Sequence, residues 1–390
     1  MLTKDIIFKN FSGTKNKKKI KTLSKFIRDK KLLNQYPLLK SLTKDYKYSY
    51  TKTDIKNLQK SKSFNLIGMG GAILGTEAIY DFLKHKVKKN FSFFNNLQCK
   101  KISKSKSKKI NLIISKSGNT LETISNFNLI LKNQKKNKNV VITEKKNSHL
   151  SFLAKKLKAE IIEHKNFIGG RYSVLSEVGM LPAEIMGLNE KKFKRFNDLI
   201  KSKLFINSLI KNVNFIYNFS IKDKKNSVIL NYDEKSDNFF KWYQQLVAES
   251  LGKKSKGIFP IISTMPKDNH SLLQLYLDGP KNNFFTFFNV DEKNSFRLDG
   301  SYLFNQLSTL KGKNFYEIIN SQKEATINVF KRKKIPFRSF KILTRKEETL
   351  GELFCFFILE TILLGKLLNV NPFDQPSVEL IKTETKRLLI

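Results

Sequence analysis

One short segment of the sequence concentrates the residue types that bind phosphate. The run Ser115-Lys116-Ser117-Gly118-Asn119-Thr120 follows the apolar stretch NLII and precedes a helical pattern. Its hydroxyl groups, the exposed backbone N–H groups of a helix start and the positive end of the helix dipole together suit a phosphate monoester. Capping of the helix by Ser117 or Thr120 is the alternative, but a cap needs only one such residue. The segment therefore favours an anion site.

A glycine-rich turn, GMGGAILG, runs from Gly68 to Gly75 after an earlier apolar stretch. A dinucleotide fingerprint would need glycine where Ile73 stands, and a nucleotide phosphate loop would need lysine where Thr76 stands. What remains is a strand–turn–helix junction, the place where open α/β sheets bind ligands. A close-packed turn without a ligand is the alternative.

Three charged residues in separate segments could move protons or stabilise an oxyanion. Arg171 follows two glycines, which would let its permanent charge approach a ligand closely, although an arginine of this kind taken alone is more often a surface residue. Glu249 stands shortly before Gly252 near the predicted end of a helix, where the dipole disfavours a carboxylate, so a role in proton transfer is indicated. His270 directly precedes an apolar helix and could simply cap it.

The elements that must position these residues alternate between strand, turn and helix. This pattern predicts an α/β fold of two related domains, each with a parallel sheet flanked by helices. The later strands are predicted at 138–145, 159–165, 227–233, 282–289 and 335–342, and a long buried helix at 348–368. The predicted organisation is an N-terminal helical segment (1–50), a first α/β domain (51–205), a second α/β domain (206–370) and a C-terminal segment with a helix (371–390).

Composition excludes several classes of protein. In a chain of 390 residues, 40% are hydrophobic, which is enough for a substantial core and excludes a disordered chain. Cys99 and Cys355 cannot make a disulfide framework, and with four His they offer no metal cluster. The start has no signal-peptide pattern, and the longest apolar stretch is interrupted by Glu360 and Thr361. We expect a cytoplasmic protein that spans no membrane.

The net charge of +41 is unusual. A nucleic-acid surface would concentrate basic residues, include arginine for bidentate contacts and interleave aromatic residues. Only 8 of the 74 basic residues are arginine, and the lysine runs are spread over 15–19, 86–89, 100–109, 132–138 and 331–334. A lysine-biased, solvated surface is therefore favoured over a specific nucleic-acid partner.

Taken in order, these segments resemble the glucose-6-phosphate isomerase family, whose fold pairs two sugar-isomerase domains. The similarity runs from about residue 64 to residue 382. The stretches that carry it are GMGGAILGTEAIYDFL, SKSGNTLET, GGRYSVLSEVGMLP, WYQQLVAESLGKKSKGIFPI, PKDNHSLLQLYLDGP and NPFDQPSVELIK. Several long motifs in the family's order are far more specific than any one of them.

The resemblance implies an aldose–ketose isomerase of glycolysis and gluconeogenesis that interconverts glucose 6-phosphate and fructose 6-phosphate through a cis-enediolate, as a homodimer with shared active sites. Glu249 would be the base, and Arg171 would stabilise the enediolate. His270, from the other subunit, and Lys382 would assist ring opening. This chemistry needs acid/base groups and a cation but no cofactor or metal.

The resemblance also implies the residues that bind the substrate. The sugar phosphate would be held by the segment described first, and three further residues would line the pocket. These positions are Ser115, Lys116, Ser117 and Thr120 for the phosphate, and Gly71, Glu122 and Gln375 for the pocket.

Three positions depart from the family pattern. Ala72 stands where a serine is usual, and Ser377 and Ile381 replace glycines of the C-terminal motif. Ile381 directly precedes Lys382 and could change how that lysine is presented. Two other functions stay open at this point: a dual phosphoglucose/phosphomannose isomerase, and a non-catalytic sugar-phosphate sensor. A sensor would need the phosphate segment but not Glu249, Arg171 and His270 together.

Overall fold

A computed structural model of the chain describes residues 1–12, 17–29, 31–97, 108–134, 137–292 and 295–389. Cys99 lies outside these residues, as do parts of the lysine runs at 15–19, 100–109 and 132–138. Ten strands are present in the described part of the chain: β1 Ile6–Lys9, β2 Ser63–Ile67, β3 Asn90–Phe94, β4 Ile110–Ile114, β5 Lys138–Thr143, β6 Glu160–Glu163, β7 Asn226–Asn231, β8 Phe259–Thr264, β9 Asn283–Val290 and β10 Phe337–Ile342.

Fifteen α-helices accompany these strands in the same residues. They are α1 Lys17–Ile27, α2 Leu32–Gln35, α3 Lys52–Gln59, α4 Leu74–Phe82, α5 Leu121–Asn133, α6 His149–Lys156, α7 Glu177–Ile185, α8 Glu190–Phe193, α9 Phe196–Lys201, α10 Lys203–Ser220, α11 Asp237–Leu251, α12 Leu273–Asp278, α13 Phe315–Arg332, α14 Glu347–Leu368 and α15 Pro376–Leu388. The predicted α/β fold class is confirmed.

The first sheet has the strand order β3-β2-β4-β5-β6, and all its strands run parallel. Every residue of β4 is buried, as expected of a central parallel strand covered by helices on both faces. Strand β2 pairs with β3 on one side and with β4 on the other. Because β3 and β4 lie on opposite sides of β2, the strand order reverses between β2 and β4. Ligands bind at such a reversal, beyond the carboxyl ends of the strands. The glycine turn follows β2, and the phosphate segment follows β4.

The second sheet has the order β1-β10-β9-β7-β8, with β7 to β10 parallel. Strand β1 pairs antiparallel with β10, with Ile6 opposite Ile342. The N-terminal segment, predicted to be helical, thus contributes an edge strand to the second sheet. The sequence predicts a parallel sheet here, and β1 departs from this prediction because it runs antiparallel to β10.

The hydrophobic core contains residues from both halves of the chain. The largest apolar cluster includes Phe82 from α4, Phe239 and Trp242 from α11, and Phe354 from α14, all buried. Helix α10 runs through the boundary predicted at 205/206. In the described part of the chain, no helix has both the length and the apolar character needed to cross a membrane.

Candidate active site

Two loops meet at the carboxyl edge of the first sheet. After β2, Gly70–Ala72 form one turn of 3-10 helix, and Gly170–Leu175 form another. A Cβ atom on Gly71 would lie 2.2 Å from the carbonyl carbon of Gly170 and 2.5 Å from the backbone nitrogen of Arg171. Only a residue without a side chain permits this approach. The predicted pocket residue Gly71 therefore fixes the position of the loop that carries Arg171.

Arg171 is buried, with 3% of its surface exposed, and is not the surface arginine that its sequence context alone favours. Its Nε donates to Ser250 Oγ (2.8 Å), and its Nη2 donates to the carbonyl oxygens of Pro372 (2.7 Å) and Asp374 (3.0 Å). Its Nη1 donates to Glu249 Oε2 (3.1 Å) and Gln375 Oε1 (2.8 Å). All five guanidinium N–H donors thus have acceptors, so the cation is held rigidly.

Glu249 lies in the last turn of α11, as the sequence predicts, and α11 ends against Gly252. Its carboxylate accepts from Arg171 on Oε2 and from Gln245 Nε2 on Oε1, at 2.9 Å. The side chain keeps 31% of its surface exposed. Each carboxylate oxygen has a second lone pair, so the group is oriented and still open to a ligand.

Gln245 was not predicted from the sequence. It stands four residues before Glu249 on the same face of α11, and that spacing is the signal that would have identified it. Its Nε2 lies 2.8 Å from the position that a Cβ on Gly70 would occupy. Its Oε1 is buried and has no hydrogen-bond partner among the described residues. The Nε2 hydrogen bond of Gln245 orients the Glu249 carboxylate.

The phosphate segment forms a compact hydroxyl-lined loop. Ser115 Oγ lies 2.9 Å from Thr120 Oγ1 and accepts from the backbone N–H of Gly118 (3.2 Å), while Ser117 Oγ accepts from the N–H of Asn119 (3.2 Å). Gly118 has φ +68°, and a Cβ there would lie 2.1 Å from Ser148 Oγ.

Thr120 is the N-cap residue of α5, yet its side chain makes no capping hydrogen bond. Helix capping therefore does not explain why the segment carries these hydroxyls, and the start of α5 presents its backbone N–H groups to the loop.

Two predicted residues, Lys116 of the phosphate site and Glu122 of the pocket, are less closely associated with this loop. The ammonium of Lys116 donates to the carbonyl oxygen of Asn166 (2.8 Å) and lies 3.6 Å from Glu144. Burial lowers the pKa of Lys116, and Glu144 partly opposes that shift. Glu122 is in the first turn of α5 and is partly exposed. The structure thus brings Ser115, Ser117 and Thr120 together, whereas the Lys116 side chain is turned to Glu144.

The C-terminal segment contacts the site through Gln375, at the start of α15. Gln375 is the N-cap residue of α15 and contacts Arg171. The ammonium of Lys253 lies 3.0 Å from the carboxylate of Asp374, and this hydrogen bond lowers the pKa of Asp374. The segment is thereby fastened to the end of α11 beside Glu249.

Lys382 is not brought to the cluster within this chain. Its ammonium lies 2.6 Å from Glu379 on the exposed face of α15, and 63% of its side chain is exposed. Gln375 precedes it by seven residues, which is about 10 Å along a helix. None of the described residues of α15 is buried, and Leu380 and Ile381 are 71% and 70% exposed.

His270 is likewise remote from Glu249 in the contacts of this chain. It follows the 3-10 turn Lys267–Asn269 after β8, and its side chain is exposed. Its backbone N–H donates to Lys267 (3.1 Å). The structure therefore assembles Glu249, Arg171, Gln375 and Gly71 in one chain, and leaves His270 and Lys382 on its surface.

Known sequences match most of this chain. Residues 41–266 match the family model described as phosphoglucose isomerase. The glucose-6-phosphate isomerase of Methanocaldococcus jannaschii is 35% identical over 362 residues, which are 86% of this chain and 87% of that protein. That of Mycoplasmopsis synoviae is 32% identical over 374 residues, covering 88% of this chain and 87% of that protein.

Solved structures show the same fold. A hypothetical protein of Thermus thermophilus superposes with a TM-score of 0.79 at 22% identity, covering 95% of this chain and 94% of that one. A glucose-6-phosphate isomerase of Chlamydia trachomatis superposes with a TM-score of 0.69 at 18% identity, covering 98% and 80% of the two chains.

Proposed function

Since the chain belongs to the phosphoglucose isomerase family and is an aldose–ketose isomerase, we propose that it interconverts glucose 6-phosphate and fructose 6-phosphate in the pocket around Glu249 and Arg171. One observation carries the proposal: a partly exposed carboxylate, oriented by Gln245, stands 3.1 Å from a buried arginine. An oriented base beside a fixed cation is the arrangement that enediolate chemistry needs.

The sugar phosphate is held by the loop after β4. Ser115 and Thr120 exchange their mutual hydrogen bond for bonds to phosphate oxygens, and Ser117 donates its hydroxyl to them. The start of α5 adds backbone N–H groups and the positive end of its dipole. The contribution of Lys116 is its charge at the loop, since its side chain faces Glu144.

Glu249 is the base in this mechanism. A free lone pair on its carboxylate takes the proton from carbon 2 of the open-chain aldose and returns it to carbon 1, passing through a cis-enediolate. General-base assistance of this kind contributes roughly a hundred- to ten-thousand-fold in rate. Gln245 keeps the base oriented through its Nε2 hydrogen bond.

Arg171 stabilises the enediolate through its charge. Its five N–H donors are already engaged, so a hydrogen bond to the substrate would have to replace one of these contacts. A cation fixed before the reaction costs no reorganisation when negative charge develops on the substrate oxygens.

The site is completed by a second copy of the chain. His270 is exposed and outside the cluster of its own chain, so it serves ring opening in the site of the partner in a homodimer. Lys382 assists ring opening once α15, whose apolar side chains Leu380 and Ile381 are exposed here, packs against the partner in the dimer. A cytoplasmic location without a specific nucleic-acid partner belongs to the same proposal.

The test of the reaction is conversion of fructose 6-phosphate to glucose 6-phosphate, measured through a coupled dehydrogenase. Glu249→Gln should lower kcat at least about a hundredfold while binding of a phosphorylated sugar acid stays nearly intact. Glu234→Gln, an equivalent change at an exposed position, serves as the control. No activity in the folded wild-type protein would contradict the proposed reaction, and near-normal kcat in Glu249→Gln would remove that residue as the base.

A second experiment tests the shared site. His270→Ala and Glu249→Gln chains are each expected to be nearly inactive alone. In mixed dimers, one of the two sites would combine an intact Glu249 with an intact His270, so part of the activity should return. Mixed dimers demonstrated by mass spectrometry but lacking activity would contradict a site built from two subunits.

A further inference from the structure

A cavity that involves neither Glu249 nor Arg171 lies on the second sheet. It is a groove of about 630 Å³ between the edge of the second sheet and α13. Strands β1 and β10 contribute alternate residues to its floor, among them Ile7, Phe337 and Lys341. Ile7 is 42% exposed, because β1 extends the sheet beyond the helix that covers its neighbours. Cavities of this size accommodate small organic ligands.

The groove is strongly basic. Five lysines line it, and one carboxylate, Glu324, lies among its described lining residues. Lys341 pairs with Asp291 at 3.2 Å, and Lys323 pairs with Glu324 at 3.1 Å. The other three lysines have exposed side chains and no ion-pair partner among the described residues: Lys9, Lys331 and Lys334. Part of the lysine run at 331–334, which the isomerase site does not use, thus faces this groove.

An unpaired hydrogen-bond donor is buried in the same groove. Asn289 is 6% exposed, and its Nδ2 has no hydrogen-bond partner among the described residues. Lys323, itself 4% exposed, donates to Asn289 Oδ1 (3.0 Å) and to Asn320 Oδ1 (2.9 Å). Because an ammonium only donates, the amide oxygen must face Lys323, and the amide N–H groups must face elsewhere. A buried donor without a partner destabilises the folded state, and an anionic oxygen would remove that cost.

We propose that this groove binds a phosphorylated small molecule of about nucleotide size, at a site separate from the sugar-phosphate pocket. Its phosphate oxygens are neutralised by Lys9 and Lys331, and they accept from Asn289 Nδ2, which is buried here, when the side chains that cover it shift. Its less polar part lies on the apolar floor formed by Ile7 and Phe337. The buried Lys323 holds the amide in the orientation that an anion requires.

Binding of ATP in the presence of EDTA, measured by isothermal titration calorimetry, tests the proposal on the full chain. The titration is repeated in Ser115→Ala/Thr120→Ala, which weakens the other phosphate site. Saturable binding should persist there. Asn289→Asp keeps the shape of the side chain and its contact with Lys323 but replaces the donor by an acceptor, and should weaken ATP binding at least about tenfold.

A matched pair of double variants separates the groove from general attraction to a basic surface. Lys9→Gln/Lys331→Gln should weaken binding about tenfold, whereas Lys56→Gln/Lys60→Gln, which removes the same charge from α3 and its end, should change it less than twofold. Thermal midpoints report that every variant is folded, and isomerase turnover adds the same check for the Asn289 and lysine variants. Absence of saturable binding, loss of binding in Ser115→Ala/Thr120→Ala, or equal weakening by both lysine pairs would overturn the proposal.

Discussion

The contact between Gly71 and the Arg171 loop makes a quantitative prediction. In Gly71→Ala the new Cβ would lie 2.2 Å from the Gly170 carbonyl carbon, whereas ordinary contacts begin at 3.4 Å. The two backbones must therefore separate by about 1 Å, and a misplacement of that size in an active site costs about a hundredfold in rate. We expect kcat/KM to fall about a hundredfold, with a loss of about 1–3 kcal/mol in unfolding free energy from overpacking.

Gly170→Ala is the matched control, because a Cβ on Gly170 would meet its nearest neighbour, the Cα of Gly71, at 4.0 Å. The two substitutions add the same methyl group on either side of one contact between the two loops, with opposite steric outcomes, and so isolate the effect of the displacement. The assay is steady-state isomerisation, with urea unfolding to confirm that both variants are folded. Wild-type kcat/KM in a folded Gly71→Ala would refute the argument that this contact positions Arg171.

Two further predictions concern the pH dependence of stability and the phosphate loop. Burial raises the pKa of Glu77 from 4.5 to about 7, so this residue stabilises the folded state below pH 4.5, and the contribution is lost as the pH rises through 7. Glu77→Gln should therefore gain up to roughly 3 kcal/mol relative to wild type between pH 5 and pH 8 in urea unfolding; an equal pH dependence in both proteins would contradict this. Ser115→Ala and Thr120→Ala should each raise KM about tenfold with a smaller change in kcat, since a hydrogen bond to a charged group is lost; an unchanged KM in both would exclude these hydroxyls from the phosphate site.

Much of the positioning framework is predictable from local sequence. Strands β2 and β4, which precede the glycine turn and the phosphate segment, are predominantly apolar, and each is followed by turn residues and a helical period. The position of Glu249 at the end of α11 follows from that helix's pattern and from Gly252. These features are encoded within a dozen residues, so the sequence alone locates them.

Other features depend on contacts between distant parts of the chain. The four residues of β1 form a strand because β10, more than three hundred residues later, supplies the partner. Strand β8 contains Pro260, which argues against a strand when its neighbours are unknown. The buried Arg171 donates to carbonyl groups of the C-terminal segment. These partners lie about two hundred residues later, so the sequence around Arg171 does not predict its burial.

The central claim is that the Glu249 carboxylate removes the proton from carbon 2, and solvent isotope exchange tests it most directly. Glucose 6-phosphate is incubated with the enzyme in D₂O, and deuterium at carbon 2 is followed by NMR. Wild type should incorporate deuterium, and Glu249→Gln should do so at least about a hundredfold more slowly at saturating substrate. Exchange in Glu249→Gln at a rate near that of wild type would contradict the assignment of the base.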